Sequence, residues 1–126
     1  MILPWLFINE TQKKGRGVYT REAISEGSII EIAPVIVLPE EEREWIDKSV
    51  LYNYYFLWGE DNAQTAIALG YGSMYNHSTT PNVAYQMDYE ANTITYIAWI
   101  DIAAGEELCI NYNGDEDSQE KVWFEL

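Results

Sequence analysis

The chain has 126 residues, is 48% hydrophobic, and sets 7 basic against 21 acidic side chains for a formal net charge of −14. A chain of this length fits one domain with its own core, and that apolar content excludes global disorder. The charge disfavours direct nucleic-acid binding, because phosphate is repelled over most of the surface, and it steers in a basic partner.

From the N-terminus, Met1-Ile2-Leu3-Pro4-Trp5 has neither a basic n-region nor a signal-peptide core. No apolar run approaches the roughly 18 residues of a bilayer-spanning helix, so the expectation is a soluble, intracellular protein with no membrane contact. The first strand is predicted at 2–8. Lys14-Gly15-Arg16-Gly17-Val18-Tyr19 then forms a glycine-flanked turn entering a strand at 18–20, where a ligand could approach the backbone closely. Strands follow at 29–32 and 35–38. A helix begins after Pro39, with Glu40, Glu41 and Glu42 in its first turn, where the helix dipole favours carboxylates. The aromatic stretch 50–58 fits a short helix or an extended segment, and its period does not decide.

Further strands are predicted at 66–69, 83–88, 93–99 and 107–111. The run Thr93-Ile94-Thr95-Tyr96-Ile97 has the β-branched and aromatic content of a packed strand. Residues 88–92 supply turn chemistry, so 83–88 and 93–99 should form a hairpin. The segment 115–126 is acidic and then apolar, and suggests a short helix docking Trp123 and Phe124. No repeat or linker divides the chain. The fold class is mainly β with short helices.

Asn76, His77, Ser78, Pro81 and Asn82 form a polar cluster flanked by core-like residues. Polar groups so placed must be hydrogen-bonded, and a structural turn could satisfy that by itself. His77 is the only histidine and Cys109 the only cysteine. Multi-histidine metal sites, cysteine zinc clusters and intramolecular disulfides are thereby excluded, and no metal site is expected. In Leu108-Cys109-Ile110 the thiol reads as structural. A third element is Ala104-Gly105-Glu106-Glu107-Leu108-Cys109-Ile110-Asn111-Tyr112, a turn and short strand ending at a tyrosine.

These three elements, in this order and spacing, resemble the SET-domain family of protein lysine methyltransferases, in its minimal viral and bacterial form. The resemblance runs from about Lys14 to Tyr112. It implies a single SET domain over 1–126, with a core at about 14–114, several small sheets and a C-terminal pseudoknot. Residues 115–126 would be a short tail without the cysteine-rich zinc-binding extension many members carry. It also implies S-adenosyl-L-methionine as cofactor, held by Lys14, Gly15, Arg16, Gly17, Tyr71, Asn76, His77 (through its backbone), Tyr112 and Trp123. Tyr112 would be the catalytic tyrosine at the floor of a lysine channel lined by Tyr85, Tyr54 and Ile110.

The chemistry suits these residue types. A lysine ammonium has no lone pair, and freeing one at pH 7 costs about 4.6 kcal/mol from an unperturbed pKa. An aromatic channel and a neighbouring cationic sulfonium both lower that pKa, so no strong general base is needed. The expected partner is a basic protein or peptide, a histone tail or a ribosomal-type protein, with the enzyme a monomer or homodimer. The alternative is a non-catalytic SET-fold module that binds basic peptides, against which the intact Asn76-His77 pair and Tyr112 argue.

Overall fold

A computed structural model of the chain describes residues 1–112. Strands β1 (Leu6–Glu10), β2 (Arg16–Thr20), β9 (Glu107–Ile110) and β6 (Asn76–His77) make one sheet, in that order. The other runs β4 (Tyr55–Trp58), β5 (Gln64–Ala68), β3 (Ile29–Leu38), β8 (Thr93–Ala98), β7 (Val83–Asp88). A single helix, α1 (Arg43–Asp47), and short 3-10 turns complete the described residues.

The β7–β8 hairpin matches its sequence signals closely. Its ladder is unbroken from Val83↔Ala98 to Asp88↔Thr93. Asp88 Oδ1 accepts from the Glu90 and Ala91 amides, and Asn92 takes the left-handed conformation (φ 54°) that closes the turn. The expected strands 29–32 and 35–38 are instead one continuous β3. Pro34 does not break it, because the ladder changes partner there. Ile29 to Pro34 pair with β8, and Val35 to Leu38 pair with β5. The N–H that proline lacks therefore falls where the β5 ladder is only beginning.

The helix expected after Pro39 is short. Glu40–Glu42 form a 3-10 turn with all three carboxylates in it, and α1 adds five residues. The ambiguous aromatic stretch takes both conformations. Val50–Asn53 is a 3-10 turn capped by the Ser49 side chain, which accepts from Leu51 N at 3.2 Å, and β4 follows. The first strand starts later than expected, at Leu6, and Ile2 makes an isolated bridge to Glu31. The expected C-terminal helix lies outside the described residues.

The core gathers Ile30, Ala33, Trp58, Tyr75, Val83, Ile94, Tyr96, Leu108 and Ile110. Burial pushes the Cys109 thiol up to about 12, with the nearby Glu107 carboxylate adding to it, so the group stays protonated and structural. Strand β9 enters between β2 and β6 and is clasped there by the 76–82 segment. It pairs in parallel with β6, and Ser78 N donates to Ile110 O at 2.8 Å. The Asn82 side chain grips it twice, donating to Glu107 O (2.8 Å) and accepting from Cys109 N (2.9 Å). These contacts fix β9 against the 76–82 segment.

Candidate active site

The turn before β2 is tightened by Thr11, whose amide donates to Gly15 O at 2.6 Å and whose hydroxyl accepts from Lys14 N at 2.7 Å. Gly15 has φ +71°, a left-handed conformation that glycine adopts without strain. The turn sends the Lys14 side chain across to β6, where its ammonium donates to the His77 carbonyl at 2.6 Å. Three residues after Lys14, Gly17 faces the Asn76 side chain, whose amide nitrogen donates to Arg16 O (3.0 Å) and Glu107 Oε2 (2.8 Å). A Cβ on Gly17 would collide with the Glu107 carboxylate and lie 2.8 Å from that amide nitrogen. The glycine is therefore what lets three strands, β2, β6 and β9, meet at one polar point.

The exit of β9 is fixed just as tightly. Tyr112 N donates to His77 Nδ1 at 3.0 Å, and the two rings meet edge to face with centroids 5.3 Å apart. An accepting Nδ1 puts the ring proton on Nε2. The imidazole is 1% exposed, so it holds the chain in place and does not face solvent. The Tyr112 hydroxyl donates to Tyr75 O at 2.7 Å. Burial, with smaller contributions from Cys109, Tyr54, Tyr85 and Glu107, raises its pKa well above the ordinary phenol value. Tyr112 thus stays a neutral phenol at any physiological pH.

Beyond Tyr112 opens a cleft of about 670 Å³ with an aromatic wall that includes Tyr54, Phe56, Tyr75 and Tyr85. Tyr85 packs edge to face on Phe56 at 5.5 Å, and its hydroxyl donates to Asn111 O at 3.3 Å. Arg43 also lines the cleft.

The SET domain family profile matches residues 15–113. The chain belongs to the SET-domain family. It is 41% identical over 121 residues to a Schizosaccharomyces pombe histone-lysine N-methyltransferase specific for H3 lysine-37, covering 95% of this chain and 77% of that protein. Among solved structures, a Plasmodium falciparum protein provisionally described as a histone methyltransferase is 29% identical with a TM-score of 0.68. That match covers 87% of this chain and 98% of the other. A polycomb repressive complex 2 in an autoinhibited conformation bound to S-adenosylmethionine superposes with a TM-score of 0.71, over 85% of this chain and 15% of that one. At 23% identity, the latter likeness shows the fold alone.

Within this SET fold, the residues singled out from sequence fall into three groups. Lys14, Gly15, Arg16, Gly17, Asn76 and the His77 backbone converge where side-chain hydrogen bonds link the start of β2 to β6, its neighbour but one in the sheet. Tyr54, Tyr85 and Tyr112 line the cleft together. Ile110 and Tyr71 stand apart from it. Ile110 is fully buried in the core, and Tyr71 packs against that core while its amide donates to Glu31 Oε2 at 3.0 Å. Trp123 lies outside the described residues. Glu107, Asn82 and Phe56 also belong to the site, although the sequence does not mark them as site residues. Glu107 and Asn82 stood inside the quoted motifs, but a motif does not say which side chain turns toward the partner strand.

Proposed function

We propose that this chain methylates a lysine in a basic, histone-type protein tail, with Tyr112 at the floor of the channel that receives the lysine. It is an S-adenosyl-L-methionine-dependent protein-lysine N-methyltransferase. The observation that carries the reading is the double anchoring of Tyr112. Its amide is held by His77 Nδ1 and its hydroxyl by the Tyr75 carbonyl, at the base of an aromatic cleft.

The residues around Gly17 fit the cofactor. The Asn76 amide nitrogen is already engaged by Arg16 and Glu107, which leaves the amide oxygen, with the Glu107 carboxylate, for positively charged groups. Lys14 and Arg16 are the cations at hand for a carboxylate. When bound, S-adenosyl-L-methionine supplies a methyl group on a positively charged sulfur. The aromatic wall of Tyr54, Phe56 and Tyr85 strips water from an entering ammonium and favours its neutral form, and the open cleft lets the proton leave to water. Tyr112, a buried phenol, takes no proton; its fixed hydroxyl and ring set the position of the amine.

The resemblance to an H3 lysine-37 methyltransferase and the excess of acidic side chains both support a histone tail as substrate. A nuclear or other intracellular site of action follows from that substrate. The proposed unit is one SET domain spanning 1–126.

The test is methyl transfer from labelled cofactor to histone H3 peptides, read by mass spectrometry. Wild type should modify a lysine. Tyr112→Phe should lower kcat on the order of 100-fold, with cofactor affinity changed no more than a few-fold. A folded Tyr112→Phe protein turning over at the wild-type rate would remove Tyr112 from this role.

A further inference from the structure

The buried carboxylate of Glu31 has no part in the chemistry above, yet it is bonded to the segment that holds Tyr112. Glu31 lies on β3, 0% exposed, in the middle of the larger sheet. The β3–β8 register shifts between Ile29 and Glu31, and the adjacent Ile30 and Glu31 are both fully buried. Its Oε1 accepts from the Tyr75 hydroxyl at 2.7 Å, and its Oε2 from the Tyr71 amide at 3.0 Å. Gly70, with φ +62°, passes so close that a Cβ there would collide with Oε2. One carboxylate thus ties down both ends of the 71–75 turn. Tyr96 fixes its middle, donating from its hydroxyl to Gly72 O at 2.8 Å while its ring lies 4.5 Å from that of Tyr75.

Tyr75 is bonded at two points. Its side chain points back to Glu31, and its carbonyl accepts the Tyr112 hydroxyl. We propose that Glu31 is a positioning residue for methyl transfer, acting through Tyr75 to fix the carbonyl that orients the Tyr112 hydroxyl. The inference rests on the role given to Tyr112 above. Burying a carboxylate costs several kcal/mol unless it is well hydrogen-bonded. A core that needed only packing would carry an apolar residue here. Both carboxylate oxygens are spent on the turn that carries Tyr75.

Tyr75→Phe removes one hydroxyl and keeps the ring in its packing against Tyr96. It should lower kcat about tenfold while peptide KM and cofactor Kd stay within about twofold, since an orientation change of well under 1 Å is felt mainly in the reacting geometry. Glu31→Gln can still accept from Tyr71 N through its oxygen and donate to Tyr75 Oη through its nitrogen. It should keep most of kcat, where Glu31→Ala loses as much as Tyr75→Phe or more. An independent readout is the Cζ resonance of Tyr112 in tyrosine-labelled protein, assigned through Tyr112→Phe. It should move in Tyr75→Phe and stay near its wild-type position in Glu31→Gln. A folded Tyr75→Phe protein with wild-type kcat and an unmoved Tyr112 signal overturns the proposal. Wild-type protein that transfers no methyl group overturns the reading of the site instead, and the resonance then decides alone whether Glu31 and Tyr75 orient Tyr112. If the Glu31 variants do not fold, Tyr75→Phe decides.

Discussion

Between Gly17 and the Glu107 carboxylate there is no room for a methyl group, and the neighbouring Asn76 amide is already bonded on both sides. Gly17→Ala must push Glu107 or Asn76 away, breaking a pair that joins β6 to β9. Such overpacking costs about 1–3 kcal/mol, and the damage lies where the cofactor is held. We expect cofactor affinity to fall at least about tenfold, measured by calorimetry, with far-UV circular dichroism unchanged. Wild-type affinity would show that the side chains there give way freely. This glycine was legible in the sequence as a candidate for close approach, because a residue without a side chain lets other groups come up to its backbone, although a Gly-x-Gly alone is a weak signal. Glu31 was not. A lone glutamate in an apolar strand reads as the solvent-facing member of an alternation, and the Tyr71 and Tyr75 groups that satisfy it lie far along the chain. Its burial also has a consequence for stability. Desolvation raises the Glu31 pKa above the ordinary 4.5, against smaller opposing effects from the Tyr75 hydroxyl, the Tyr71 amide and the N-terminal ammonium. A carboxyl raised on folding binds its proton more tightly in the native state. Its contribution is therefore complete below 4.5 and is lost as pH climbs through the raised value. Relative to wild type, Glu31→Gln should gain Tm steadily over that window and level off above it. A difference independent of pH would mean that the folded carboxyl titrates as it does in the unfolded chain.

Strands were legible wherever the local pattern alone determines pairing. The β7–β8 hairpin carries its own turn and its own alternation, and it forms as expected to within a residue. Strand β6 has two residues, and its existence depends on β9, some thirty positions later in the chain, so no local pattern announces it. Pro34 signalled a break that the change of ladder partner makes unnecessary. At this scale Asn82 matters most, because its side chain replaces a missing neighbour on β9. Removing it in Asn82→Ala leaves the Glu107 carbonyl and the Cys109 amide without that partner, at about 1–3 kcal/mol each. Thermal unfolding should show a clear drop in Tm, and hydrogen exchange should quicken at Cys109 before it does in the β7–β8 hairpin. Equal protection loss in both sheets would mean that the clasp stabilises the fold as a whole and not β9 in particular.

For the molecule as a whole, the charge of −14 favours the approach of a basic partner. The acidic 115–117 segment lies outside the described residues, but other carboxylates flank cleft-lining residues along the chain. Exposed Glu40, Glu41, Glu42 and Glu44 surround Arg43 in sequence, and Glu60 and Asp61 precede Asn62; Arg43 and Asn62 both line the cleft. Those glutamates stabilise the turn they begin, so a structural reason for them exists whether or not a substrate uses them. Salt separates the two roles. Raising ionic strength from 0.1 to 1 M shortens the screening length from about 10 Å to about 3 Å. If the carboxylates draw in a Lys/Arg-rich tail, KM for that peptide should rise about tenfold or more while kcat at saturation changes little. Replacing Glu40, Glu41 and Glu42 together by glutamine should raise KM at low salt and flatten its salt dependence, leaving the ring geometry around Tyr112 and therefore kcat intact. A peptide KM indifferent to salt, or a triple variant with the wild-type salt slope, would assign these carboxylates to the helix start alone and move substrate recognition into the aromatic cleft.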